Sequence, residues 1–246
     1  MRRASRDRAP VVLLHGNGSS WNSWALTLNH LGRVTLAPDL PGFGDSPTPD
    51  RFFSLSDYAR TVLGLFQGPA LLVGNSLGGL IALEAAFLAP DRVSGLVLVA
   101  VPACAPGRVD AALASLMSWV GEDGVARIAD EAELSRITLQ SDARVLALAN
   151  ANLARARNFL PALAAAWNYR WWERTPSLRC PVCIFWGDQD GLLGPDHLER
   201  WLEAVPSARV HRMEAAHSPQ FDAPEEFNRL LTAFLDEVEG GSAGHR

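Results

Sequence analysis

The chain has 246 residues, 48% of them apolar and 20% charged, with a formal net charge of −5, which is enough for one sizeable core or a core plus a small insertion. The negative balance argues against nucleic-acid binding, all 22 basic residues are arginine so no lysine can form a Schiff base or a Walker-type phosphate contact, and no apolar run is long enough to cross a bilayer. Three cysteines do not suggest a disulfide framework, and the arginine-bearing stretch Met1 to Pro10 has no leader-length apolar segment behind it, so the expectation is a cytoplasmic protein with no cofactor, metal or membrane partner.

Val11-Val-Leu-Leu14 reads as a short buried strand running into His15-Gly-Asn-Gly18, followed by a helix over Trp21 to Leu31 with Ser19 or Ser20 near its N-cap. A second strand, Val34 to Leu40, runs into Asp39-Leu-Pro-Gly-Phe-Gly-Asp-Ser46. Glycines and prolines there mark a loop at the carboxyl end of a strand, where open α/β sheets bind ligands. Leu55 to Gln67 is an amphipathic helix.

The next unit, Pro69 to Leu83, is the one around which the chain is organised. An apolar strand breaks at Gly74-Asn75-Ser76-Leu77-Gly78 and resumes as a helix-like pattern. This is G-x-S-x-G in a strand-turn-helix setting, where glycines two positions either side let the chain segments pass closely and the serine stands at an exposed apex. The competing reading is a glycine-rich turn with an incidental serine. Ser94 to Val101 is another buried strand. Apolar strands alternating with helices specify an α/β fold, a mostly parallel sheet covered by helices on both faces.

After Pro102 the alternation stops, and residues 102–178 read as an inserted helical cap on a core made of residues 1–101 and 179–246. The alternation resumes with a strand over Pro181 to Gly187, a helix over Pro195 to Ala204, a strand over Arg209 to Met213 and a final helix over Pro224 to Val238. Gly240 to Arg246 reads as a frayed tail. Cys180-Pro-Val-Cys183 has C-x-x-C spacing but opens a strand, where residues three apart point to opposite faces, so a metal or redox role is not read there.

A serine at neutral pH needs a neighbouring imidazole as base, itself oriented by a carboxylate. His217 lies in the loop after the last strand, and Asp188 and Asp190 both lie just past the strand Val182 to Trp186. All three therefore sit at the carboxyl edge that carries Ser76, in the order serine, acid, histidine. Spacing leaves the two acids as alternatives. His30, His197 and His211 fall on helices or a strand, His245 is in the tail, and His15 reads as structural. An oxyanion would take one donor from the Leu77 N–H and a second from the loop after the first strand, at Asn17.

These motifs, with Leu40-Pro-Gly-Phe-Gly44, Ser76-Leu-Gly-Gly-Leu80, Asp190-Gly-Leu-Leu193 and Ala215-Ala-His-Ser-Pro219, resemble the α/β-hydrolase superfamily across nearly the whole chain. Within it they resemble the pimeloyl-[acyl-carrier protein] methyl ester esterases of biotin synthesis. The resemblance favours Asp190 over Asp188, because Gly191-Leu-Leu193 resembles the turn after the family's acid. It also implies acyl contacts for Ile137, Thr138, Leu139 and Gln140, since Arg136-Ile-Thr-Leu-Gln140 is similar to that family's acyl-contacting stretch. Asn17 stands where that family usually has tryptophan, the cap diverges, and the usual antiparallel leader strands are expected to be missing. Gly74-Asn-Ser-Leu-Gly-Gly79 and Gln220 to Leu235 also resemble hydrolases that cleave C–C bonds in ring-opened aromatic acids, although their glycine-proline-rich oxyanion loop is absent and Ser218 replaces the tryptophan they place after the histidine.

Residues 143–179 hold six arginines against the single acid Glu173. A solvated helical face is the plainer reading, and a dock for an acidic carrier protein or a carboxylate, on Arg136, Arg144, Arg155 and Arg157, is the functional one. Trp119, Trp167, Trp171 and Trp172 read as core, with a second use as a lid over an acyl tunnel. The expectation is a carboxylic-ester hydrolase that works through an acyl-enzyme on a small, carrier-linked or free ester. Its alternatives are a C–C bond hydrolase with the same triad and a binding protein on a hydrolase scaffold.

Overall fold

A computed structural model describes residues 8–103 and 111–242. Six strands, β1 (Val11–Leu14), β2 (Thr35–Leu36), β3 (Ala70–Asn75), β4 (Val93–Val99), β5 (Val182–Gly187) and β6 (Arg209–Met213), form one sheet in the order β2-β1-β3-β4-β5-β6, and every neighbouring pair is parallel. The helices are α1 (Ala25–His30), α2 (Leu55–Leu63), α3 (Leu77–Leu88), α4 (Ala111–Ser118), α5 (Glu131–Leu134), α6 (Ala143–Leu153), α7 (Phe159–Trp167), α8 (Pro195–Ala204), α9 (Pro219–Asp222) and α10 (Pro224–Ser242).

Because successive strand residues point to opposite faces, the buried runs divide into two cores. Val12, Leu14, Leu72, Leu96, Leu98, Ile184 and Trp186 face α2, α3 and α8. Val11, Leu13, Leu71, Val73, Val97, Val99, Cys183 and Phe185 face α1 and α10. The helical segment between β4 and β5 adds Leu116, Trp119, Leu134, Leu153, Phe159 and Trp167 to the first of these cores and does not build a separate one. Trp171 stacks on Trp201 of α8, with ring centroids 3.7 Å apart.

Several boundaries depart from the sequence pattern for identifiable reasons. The second strand stops at Leu36, because Pro38 has no N–H to continue a ladder and the Leu40 N–H donates to His15 Nε2 instead. The first helix begins as a 3-10 turn over Trp21–Trp24. Ser20 makes no side-chain cap there and donates to Asn152 Oδ1. α2 ends at Leu63, four residues short of Gln67, where the Gly64 N–H is shared between the Arg60 and Thr61 carbonyls. β4 stops at Val99 because Ala100 takes a left-handed φ of 46°, a costly conformation for a residue with a Cβ. α10 runs on through Gly240 to Ser242, where a frayed tail was expected, and the Arg33–Glu239 ion pair at 2.9 Å anchors its last turns. Residues 243–246 of the expected tail and 1–7 of the N-terminal stretch lie outside the described residues, as does Cys104.

Among the described residues no helix is long and apolar enough to cross a membrane. No group of three or more histidine, cysteine, aspartate or glutamate side chains is placed to hold a metal among them. Cys183 belongs to the second core and Cys180 packs on the first, and burial pushes their thiols up to about 12 and about 11.

Candidate active site

β3 delivers the chain to Ser76 with φ 51° and ψ −116°, after which α3 begins at Leu77. The flanking glycines are required by contact. A Cβ on Gly74 would lie 2.3 Å from the Gly78 carbonyl carbon, and one on Gly78 would lie 2.2 Å from the Leu14 carbonyl oxygen. Both distances are shorter than any side chain tolerates, so the elbow closes only with hydrogen at these positions. Ser76 donates its own N–H to the Val99 carbonyl at 2.9 Å. Its neighbour Asn75 donates through Nδ2 to the Val99 carbonyl at 3.1 Å and to the His217 carbonyl at 3.2 Å.

The acid and the histidine come from the loops after β5 and β6. Asp190 Oδ1 accepts the N–H groups of Leu192 and Leu193, each at 2.9 Å, and Oδ2 lies 2.8 Å from His217 Nδ1. With the carboxylate 1% and the imidazole 8% exposed, water does not compete for this bond. Asp188 turns the other way and pairs with Arg212 Nε at 2.7 Å in a half-exposed contact. The geometry thus separates the two carboxylates that spacing left open. His15 is fully buried, with Nδ1 2.8 Å from the Gly16 carbonyl and Nε2 accepting from Leu40, and burial lowers its pKa to about 4.

Ser76 and His217 line one cavity of about 160 Å³. Asn17 lines it too, with its side-chain Nδ2 donating to the Phe159 carbonyl. Leu77 is not among the residues that line the cavity, and among the described residues no protein acceptor takes its N–H or that of Asn17. The rest of the wall is largely apolar and comes from the segment between β4 and β5: Leu116, Trp119, Ile128, Leu134, Ile137, Val145, Leu148 and Ala149. Ser19, Asn22, Ser23 and Asn152 make a neutral polar side, where Asn22 and Asn152 exchange amide hydrogen bonds at 3.1 and 3.2 Å. Among the described residues, no lining side chain apart from His217 is ionisable.

Of the four residues with implied acyl contacts, Ile137 and Thr138 reach the cavity and Leu139 and Gln140 do not. Leu139 is 41% exposed, and Gln140 Nε2 donates to the Phe221 carbonyl at 2.7 Å. Trp119 lines the cavity, whereas Trp167, Trp171 and Trp172 pack in the core. The arginines are mostly engaged: Arg136 with Gly191 and Ser115, Arg155 with Asp45, and Arg157 with Ser46 and Thr48, while Arg144 makes no side-chain bond among the described residues. Sequence reasoning missed Asn75. Its signal was a lone amide ending an otherwise apolar strand.

Residues 11–230 match the alpha/beta hydrolase family. A pimeloyl-[acyl-carrier protein] methyl ester esterase from Citrobacter koseri is 33% identical over 93% of this chain and 94% of its own length. A 2-hydroxy-6-oxo-6-phenylhexa-2,4-dienoate hydrolase from Burkholderia cepacia is 27% identical over 92% of this chain and 87% of its own. The chain is also 29% identical, over 92% of its length, to the dihydrolipoyllysine-residue acetyltransferase component of the acetoin cleaving system from Pseudomonas putida, of which it spans 63%. Among solved structures, a thermophilic esterase from Thermogutta terrifontis superposes with a TM-score of 0.77 at 25% identity, over 94% of this chain and 90% of that one.

Proposed function

The chain belongs to the alpha/beta hydrolase family, and from that membership and its site geometry we propose that it hydrolyses carboxylic esters through an acyl-enzyme. The observation that carries the reading is the buried Asp190–His217 bond beside a serine elbow on the same cavity. Ser76 Oγ attacks the ester carbonyl carbon while His217 Nε2 takes its proton, and Asp190 holds the imidazole in the required tautomer. The tetrahedral oxyanion lies against the Leu77 and Asn17 N–H groups, the first of them at the positive end of α3. Collapse expels the alcohol, which leaves with the proton from His217. Water, activated by the same imidazole, then releases the carboxylic acid and restores Ser76.

The neutral wall favours esters without a free charge near the reacting carbon. A carboxylate brought into the cavity would lose water without a fixed cation among the described lining residues to replace it, a transfer that costs several kcal/mol or more. That weighs against the C–C bond cleavage of ring-opened aromatic acids, whose substrates carry such a group. Its finer form, a methyl ester of a carrier-linked acyl chain, rests on likeness to the Citrobacter koseri protein. The cap arginines would then meet the carrier.

The test is Ser76→Ala assayed on p-nitrophenyl butyrate. Its kcat falls by on the order of 10⁴- to 10⁶-fold with the circular dichroism spectrum unchanged, and wild type shows a burst of p-nitrophenol. Retention of more than a tenth of the activity would sink the assignment. Failure to turn over any ester while still binding one would favour a binding protein.

A further inference from the structure

We infer that Asp222 is a positioning residue for the Asp190–His217 pair, and that it works together with the segment Arg136–Gln140, which straps the acid loop to the histidine loop. The inference rests on the triad reading above.

The strap is tied at both ends. At the acid end, Arg136 grips Gly191, the residue next to Asp190, through both of that residue's backbone groups. The Gly191 N–H donates to the Arg136 carbonyl at 3.0 Å, and Arg136 Nε and Nη2 donate to the Gly191 carbonyl at 3.1 and 2.9 Å. The approach is so close that a Cβ on Gly191 would lie 2.9 Å from Arg136 Cα. At the histidine end, Asp222 Oδ1 accepts from the Thr138 hydroxyl and from the Leu139 N–H, the latter at 2.9 Å. Its other oxygen accepts the N–H of Ala216, the residue before His217, at 2.8 Å. Gln140 closes the array on the Phe221 carbonyl.

Asp190 and His217 are delivered by two separate loops, and the bond between them is only as well aligned as those loops are registered. Among the described residues Asp222 is the side chain that joins Ala216 to the strap, and the strap also supplies Ile137 and Thr138 to the cavity wall. A carboxylate suits the task because three donors converge on two acceptor oxygens. An amide has a single acceptor oxygen, so an asparagine there must turn its NH₂ toward at least one N–H or O–H donor. Small misplacements of catalytic groups cost up to about 100-fold in rate, so the strap is a lever on kcat that never touches the reacting atoms.

The experiment is a double-mutant cycle of Asp222→Asn with Asp190→Asn on p-nitrophenyl butyrate. Asp222→Asn alone should lower kcat about 10- to 100-fold while KM stays within about threefold and the melting transition remains cooperative. In the Asp190→Asn background the same change should cost less than about threefold, because the alignment it protects is already lost. Gln140→Leu, which lies outside the cavity and removes one tie, should lower kcat severalfold and covers the case in which Asp222→Asn does not fold. A kcat within twofold of wild type for both variants overturns the proposal. Equal losses for Asp222→Asn with and without Asp190 also overturn it and indicate a merely structural role. In either case an intact effect of Ser76→Ala and Asp190→Asn would leave the triad reading standing.

Discussion

Ser76 sits in a backbone conformation that few residues with a Cβ adopt, and the contacts that enforce it are backbone to backbone. Gly78→Ala would drive a methyl group into the Leu14 carbonyl, with nothing flexible to yield. The expected outcome is a protein recovered insoluble or with no measurable esterase activity; a soluble, active Gly78→Ala variant would show that the elbow has room that the geometry denies. The two acids give a cleaner contrast. Asp190→Asn removes the acceptor that fixes the His217 tautomer and should lower kcat about 10⁴-fold, whereas Asp188→Asn loses one exposed pair with Arg212 and should change kcat less than about threefold. The reverse order in a side-by-side assay would mean that the wrong carboxylate had been assigned. His15 yields a prediction in pH. It is buried neutral with a pKa near 4 against 6.5 in the unfolded chain, so the unfolded state binds the extra proton between those values. Its contribution is fully present above pH 6.5 and is lost as pH falls toward 4, up to about 3 kcal/mol. Urea midpoints measured from pH 7 to pH 4.5 should fall less steeply for His15→Asn, although that variant starts lower because it gives up the bond from Leu40.

At the scale of elements, α3 is the axle. Every residue from Leu77 to Ala86 is buried, including Glu84, whose carboxylate takes hydrogen bonds from Ser56 of α2 and from Tyr169 and Arg174 beyond α7. That one side chain pins the β4–β5 helical segment to the elbow helix. Glu84→Ala should destabilise the fold by about 1–3 kcal/mol, the lower part of the range for buried pairs because Arg174 can turn to water; a shift of the urea midpoint equivalent to less than about 0.5 kcal/mol would contradict it. The same element shows what the sequence could and could not reveal. Strand and helix periods, with glycines at fixed offsets from Ser76, made the elbow and the doubly covered sheet legible, because those features are set by local sterics and burial. His217 was legible for the same reason: a strand end fixes where its loop emerges. Spacing alone did not choose between Asp188 and Asp190, and only the resemblance of the following turn favoured Asp190, since two residues on one loop differ only in direction and direction is set by the Leu192 and Leu193 amides. Arg136 to Gln140 pointed toward the acyl chain by resemblance. Only two of its residues face the cavity, and the others bind neighbouring loops through contacts more than fifty residues away in sequence.

For the molecule as a whole, the open question of the substrate's carrier turns on charge. The chain carries a net −5, so an acidic partner meets overall repulsion and needs a local cationic patch within about one Debye length, roughly 8–10 Å, to be held. Arg136, Arg155 and Arg157 each bond to neighbouring loops, so reversing them would change those contacts as well as the patch. Arg144 is exposed at the start of α6, the helix whose Val145, Leu148 and Ala149 line the cavity, and its side chain has no partner to lose among the described residues. The carrier reading therefore predicts a sharp result at this position. Arg144→Glu should raise KM for a carrier-linked methyl ester about two- to tenfold, the size expected when an exposed pair of about 0.2–1 kcal/mol is replaced by a repulsion. The effect should shrink in 0.5 M salt, while kcat/KM for p-nitrophenyl acetate stays within error. Arg155→Glu, by contrast, also places like charges on its exposed partner Asp45, so it should lower the melting temperature slightly, by no more than the ~1 kcal/mol of an exposed pair, and is the less clean probe. If Arg144→Glu leaves the carrier-linked KM unchanged at low salt, Arg144 does not serve a carrier, and the cavity of largely apolar described residues is left to select free, uncharged esters by shape.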